Sequence, residues 1–243
     1  WTCDLRGNNI KRLVRRYGSF LQRQSWNQIS GEVDLSVSLD SFFGLEKVNE
    51  VEEETVLQLP EDFISLTSKK LSLSSLEARR YLSARGITKD DILKWKIGYC
   101  KNGDYANRIV VPSFNRDGNV NYFVARTYIG AWDTYNNPNV SKNLIFNELY
   151  VDWKNDLTLV EGVFDAIKAG NAIPLLGSSL REDSKLFQEI LKHDTPIYIA
   201  LDPDAEKKAF QLIRNFLLHD IELYKIDVTG YKDVRRNDKD RVQ

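Results

Sequence analysis

The chain has 243 residues, of which 42% are hydrophobic, a formal net charge of −1, two cysteines and two histidines. Its length suits one large domain or two modest ones, and its apolar share suits a buried core. The charge balance excludes a globally basic nucleic-acid binder, so any basic surface is local. Cys3, Cys100, His193 and His219 exclude a zinc cluster of ordinary spacing, and so few cysteines suit a reducing compartment. No apolar run is long enough to span a bilayer, and the N-terminus is not a signal peptide. A start at Trp1 and the lack of any Met mark the sequence as a fragment, or as one with residues missing.

Residues 9–17, "NIKRLVRRY", place Ile10, Leu13, Val14 and Tyr17 on one helical face, with Lys11, Arg12, Arg15 and Arg16 around it. An ordinary amphipathic helix accounts for this; a phosphate-facing helix is the sharper reading. Residues 31–60 are acidic, lack periodicity and read as a linker. Ser74 and Glu77 fit a capping box before "LEARRYLSARG", with Gly86 as the stop. Thr88 and Asp91 repeat the box before "ILKWKIGY", which gives a helical hairpin of structural purpose. Residues 107–129 read as a β-hairpin turning at Asp117-Gly118. From residue 157 on, apolar strands ("LTLV", "AIPLLG", "PIYIAL", "IELYKID") alternate with helical patterns. Such alternation predicts βαβ crossovers and an α/β fold with a mainly parallel sheet, covered on both faces.

In an open parallel sheet, functional groups gather beyond the carboxyl ends of the strands. Glu161 closes "LTLV", Asp202 and Asp204 follow "IYIAL", and Asp233 follows the last strand. Crowded carboxylates repel one another unless a hard cation sits among them, and Mg²⁺ takes such oxygens together with substrate phosphates. Gly162 removes a side chain where a phosphate or metal must approach the backbone. Some of the acids have a plainer reading as well, weakest for Glu161: Asp165 complements a helix dipole, and Asp202 or Asp204 caps the helix that starts near Ala205.

These stretches, "EGVFDAI", "ALDPDAEKKA" and "GYKDV", resemble the three acidic motifs of the Toprim fold, shared by primases, topoisomerases and some nucleases. Upstream, "YLSARGITKDDILKWKIGYC", "NRIVVPSFNRDGNVNYFVART" and "NNPNVSKNLIFN" resemble, in order, segments of DnaG-like primase cores. The resemblance covers roughly residues 75–235. "WTCDLRGNNIKRLVRRYG" resembles the second half of a primase zinc-binding domain, with Cys3 kept and Arg6 in place of the second cysteine. The whole has the cast of a bacteriophage version.

The resemblance implies a Toprim-type, mainly parallel sheet flanked by helices and preceded by a smaller α+β subdomain. It divides the chain into a zinc-domain remnant with its basic helix (1–22), an acidic linker (23–60), a basic N-terminal subdomain (61–152) and a Toprim domain (153–243). It implies a DNA primase making short RNA primers on single-stranded DNA by metal-dependent nucleotidyl transfer. Glu161, Asp202 and Asp204 would be the catalytic, metal-binding carboxylates, with Mg²⁺ or Mn²⁺. Asp165 and Asp233 would support them or hold a second ion. Arg108, Arg126 and Lys142 would contact nucleotide phosphates or the template backbone. On an ideal strand Arg126 shares a face with Tyr122 and Val124, so it belongs at the edge of that face or on a bulge. Tyr105 and Tyr122 are candidates for base stacking, with core packing the stronger reading for Tyr122. Zinc, held in the intact family domain, is not expected on this chain. The implied partners are single-stranded DNA, NTPs, an RNA primer and a replicative helicase, with no membrane. The implied place is the cytoplasm, that of the host if phage-encoded. A Toprim nuclease or topoisomerase fragment, and a non-catalytic DNA-binding adaptor, remain as alternatives.

Overall fold

The structure, a computed structural model, describes residues 17–30, 56–68, 72–130, 133–177 and 180–226, together with Ile10 and Val14. Cys3, Arg6, Asp233, most of the basic stretch 9–17 and most of the acidic stretch 31–60 lie outside the described residues. Of Asp204 the backbone alone is described.

Two four-stranded sheets carry the architecture. The first is antiparallel, in the order β1 (Phe63–Ser65), β2 (Gly98–Cys100), β3 (Arg108–Phe114), β4 (Val120–Thr127). The hairpin between β3 and β4 turns at Asp117-Gly118, where Gly118 takes a φ of 83° that a side chain would disfavour. The second sheet is wholly parallel: β5 (Leu157–Val160), β6 (Ala172–Pro174), β7 (Ile197–Ala200) and β8 (Leu223–Lys225), in the order β6-β5-β7-β8. This is the α/β arrangement expected from the alternating patterns.

Six α-helices are described: α1 (Phe20–Ser30), α2 (Leu73–Ala84), α3 (Lys89–Lys94), α4 (Val163–Ala169), α5 (Lys185–His193) and α6 (Glu206–Leu217). α1 runs through residues that the sequence assigned to the start of a linker. The Thr88–Asp91 capping box forms as expected. The box proposed at Ser74 does not. The cap is Ser72, whose hydroxyl accepts from the Ser75 N–H at 3.2 Å, so the helix starts earlier. α3 also ends sooner than "ILKWKIGY" suggested. Lys96 adopts a φ of 52°, Ile97 N–H donates back to the Ile92 carbonyl at 3.0 Å, and the chain leaves as β2.

One apolar core joins the two sheets. It packs Ile109, Val111, Tyr122 and Val124 of the hairpin against Ala78, Leu82 and Ile92, and against Val160, Phe164 and Ile167. A second core lies on the other face of the parallel sheet, where Leu157, Leu159 and Ile173 meet Phe187, Ile190, Leu212 and Phe216. Both faces are therefore covered, as the continuous apolar strands require. Among the described residues, no helix is long and apolar enough to cross a membrane.

Polar contacts tie the hairpin to the segments that flank the parallel sheet. Asn147, buried with a φ of 57°, donates its N–H to Ser113 Oγ at 2.8 Å and accepts from the Phe114 N–H at 3.1 Å. Nearby, Arg116 in the hairpin turn bridges Glu148 at 2.7 Å and Glu189 of α5 at 3.2 Å. Burial works against the Glu189 carboxylate, but hydrogen bonds from Lys192 and Arg116 outweigh it and hold its pKa below the ordinary value. Glu189 thus adds stability above the ordinary glutamate pKa, and that stability is lost as pH falls through the lowered value. Arg116→Ala is expected to move the acid-unfolding midpoint, followed by circular dichroism, to higher pH. An unchanged midpoint would deny the bridge any energetic role.

Candidate active site

The candidate acids come from the ends of strands. β5 and β7 are hydrogen-bonded neighbours with Val160 opposite Ala200, so Glu161 and the Leu201-Asp202 pair emerge side by side at their carboxyl ends. Neighbouring strands lie about 4.8 Å apart, which sets the scale of this rim. Beyond β7 a 3₁₀ turn, Pro203–Ala205, leads into α6. Asp202 is exposed, and its side chain makes no capping hydrogen bond; the residue at the α6 cap is Ala205. The capping explanation for Asp202 therefore fails.

Gly162 precedes α4 with extended backbone, so its role is not conformational. A Cβ there would approach Asp165 Oδ2 to 3.1 Å. The missing side chain thus leaves room for the Asp165 carboxylate to fold back beside Glu161-Gly162. Among the described residues no three His, Cys, Asp or Glu groups stand close enough to hold a metal on their own. The Asp204 side chain and Asp233 are outside that set. The donor chemistry fits a hard divalent cation: carboxylate oxygens on adjacent strand ends, and a glycine where a bulky side chain would crowd them.

Two lysines border the acids. Lys142 donates from Nζ to the Leu176 carbonyl at 3.2 Å, and the Leu176 N–H donates to the Glu161 carbonyl at 3.2 Å. One shared residue therefore links Lys142 to the backbone of Glu161. On α6, burial pulls the half-buried Lys208 ammonium below the ordinary lysine range, and the Glu161 carboxylate opposes that pull.

The two arginines part company. In β4, Arg126 pairs with Ile109 and shares the face that carries Tyr122 and Val124. It is 7% exposed. Its Nε donates to the Tyr81 hydroxyl at 2.5 Å and its Nη1 to the Tyr135 hydroxyl. Its guanidinium lies 4.8 Å from the Tyr135 ring and 5.8 Å from that of Phe164, the second residue of α4. Arg126 is the last residue of β4 on that face, so it sits at the edge of the face and not on a bulge, the sheet's register shift being at Ser113/Phe114; two phenols satisfy its guanidinium. Arg108 pairs with Thr127 and points to the opposite face, that of Val110, Phe123 and Ala125. The structure therefore sets Arg126 beside Phe164 at the start of α4 and links Lys142 through Leu176 to Glu161, while Arg108 lies on the opposite face of the hairpin. Tyr122 is fully buried in the core rather than available for stacking, and Tyr105 packs edge-on against Phe123 at 5.1 Å.

Arg85 was not singled out by the sequence. It lies 5.2 Å from the Phe164 ring and 5.1 Å from that of Tyr81, so the helical hairpin supplies a second guanidinium to the same aromatic ring as Arg126. Lys208 was missed as well. Its one visible signal was its place just after Asp-x-Asp.

Solved structures share this fold. The Aquifex aeolicus primase (zinc-binding and RNA polymerase domains) matches at 21% identity and a TM-score of 0.55, over 65% of this chain and 51% of that one. The E. coli primase catalytic core matches at 17% and 0.54, over 67% and 68%. A DnaG primase catalytic domain bound to single-stranded DNA matches at 17% and 0.53, over 67% and 69%. No protein-family model and no curated protein matches the chain. The chain spans about half the length of the solved Aquifex chain that it matches. The fold is mixed α/β with a helix-flanked parallel sheet, and more particularly that of the bacterial DnaG primase catalytic core.

Proposed function

We propose that this chain is the catalytic core of a DNA primase, with a Toprim-type parallel sheet, and that it joins ribonucleotides on a single-stranded DNA template. The observation that carries the reading is the side-by-side emergence of Glu161 and Asp202 from β5 and β7, bordered by Lys142, in a fold shared with primase cores. In this reading a 3′-hydroxyl oxygen attacks the α-phosphorus of an incoming NTP, the bond to the bridging oxygen breaks, and pyrophosphate leaves. Glu161, Asp202 and Asp204, supported by Asp165 and Asp233, would hold Mg²⁺ or Mn²⁺. When bound, such ions neutralise phosphate charge and lower the pKa of the attacking hydroxyl. Lys142, Arg126 and Arg85 orient phosphates beside the acids, and Lys208 offsets charge on Glu161. A DnaG catalytic domain of the same fold is bound to single-stranded DNA, which supports the template as the partner. The reaction belongs in the cytoplasm, with a replicative helicase as the natural companion.

The test is an incubation with labelled NTPs, single-stranded DNA and Mg²⁺ or Mn²⁺. Short RNA products that depend on template and metal are expected. DNA cleavage without NTP use would instead make the protein a nuclease, and DNA binding without either product would make it an adaptor.

A further inference from the structure

Arg108 is a buried cation on the outer face of the hairpin. The residue is 6% exposed, and its Nε is buried without a hydrogen-bond partner among the described residues. One nitrogen, Nη2, meets protein acceptors: Asp133 Oδ2 at 2.5 Å and the Asp133 carbonyl at 3.2 Å. The two partners are unlike. The Arg108 side chain is 8% exposed and that of Asp133 is 67% exposed. The guanidinium is fixed in the sheet, and the carboxylate over it stands in water.

The backbone on either side of this pair is anchored without the carboxylate. Thr127 N–H donates to the Thr134 carbonyl at 3.0 Å, and Asn136 N–H donates to the Ala125 carbonyl at 3.0 Å. Asn137 Oδ1 accepts from the Ala125 N–H at 3.0 Å. The Asp133 side chain can therefore rotate away while its strand stays paired to β4. Arg108 has no such freedom.

We infer that the Asp133 carboxylate occupies the seat of a nucleic-acid phosphate on Arg108, so that this ion pair is an internal brake on backbone binding at the outer face of the hairpin. A phosphate oxygen and a carboxylate oxygen present the same charge and acceptor geometry to a guanidinium. The Asp133 carboxylate, 67% exposed, is well solvated once it leaves the guanidinium, so a strand of closely spaced phosphates competes with it for the seat. The Arg108 guanidinium stays fixed in both arrangements, which preorganises the seat. The inference rests on the reading of this chain as a single-strand binder, and places one of its phosphate contacts away from the acidic rim.

The test is equilibrium binding of a fluorescent oligo-dT across a salt series. Asp133→Asn is expected to bind several-fold more tightly than the parent protein at low salt, with a salt slope steeper by up to about one ion. Asp104→Asn removes an exposed charge from the same end of the sheet and is expected to change affinity far less. The gain should vanish when Arg108→Lys is added, a change that keeps the charge and loses the fork. A gain equal to that of Asp104→Asn, or one that survives in the double variant, overturns the brake and leaves the primase reading intact. A parent protein that binds no oligonucleotide overturns both. Melting curves for each variant separate loss of binding from loss of fold.

Discussion

Glu161→Gln is expected to reduce primer synthesis by roughly 10³-fold or more, the scale set by removing several kcal/mol of charge stabilisation at a metal-assisted phosphoryl centre. The fold should survive. Glu161 stands past the last residue of β5, its backbone carbonyl already accepts from Leu176, and glutamine keeps the shape of the side chain. The two measurements are primer yield against time and a melting curve. A variant with near-normal yield would remove Glu161 from the metal role, whatever the fold.

Asp202→Asn is the second large effect. Because the Asp202 side chain does not cap the following turn, stability should change little. Divalent-ion affinity and activity should both fall, by roughly 10²-fold in rate, with partial recovery in Mn²⁺, which binds a given set of oxygen ligands more tightly. The alternative outcome is distinct. A loss of about 1 kcal/mol in stability with metal affinity preserved would mark a helix cap. A melting curve and a Mn²⁺ titration on the same preparation decide between them.

Much of the fold was readable because its signals are local. β5 and β7 are short apolar runs between helical patterns, and Asp117-Gly118 announces its hairpin within two residues. The exact start of α2 was less readable, since Ser72, Ser74 and Ser75 offer the same chemistry and the tertiary position of Tyr99 favours Ser72 as the cap. Tyr99 shows this directly: its hydroxyl lies 2.9 Å from Ser72 Oγ. The brevity of β1 and β2, three residues each, left no periodicity to detect. α1 was hidden for another reason. Leu21 and Ile29 are exposed, so its sequence lacks a clean apolar stripe.

The acids of the candidate site were legible because strand ends in a parallel sheet are predictable positions. Its cations were legible only in part. Lys142 reaches the rim through a contact with Leu176, thirty-four positions away, and no local pattern encodes that. Arg108 and Arg126 looked equivalent in sequence, yet the register Arg108–Thr127 and Ile109–Arg126 sends them to opposite faces. Arg85 meets Phe164 only once α2 has docked on α4. Each of these depends on packing between distant elements.

The most direct test of the proposed centre is the position of Mn²⁺ in crystals of the protein, located by anomalous scattering. A peak is expected between the Glu161 and Asp202 carboxylates, at the carboxyl ends of β5 and β7, and lost in Glu161→Gln crystals grown under the same conditions. A peak elsewhere that survives Glu161→Gln, or no peak at these strand ends at saturating Mn²⁺, would contradict it.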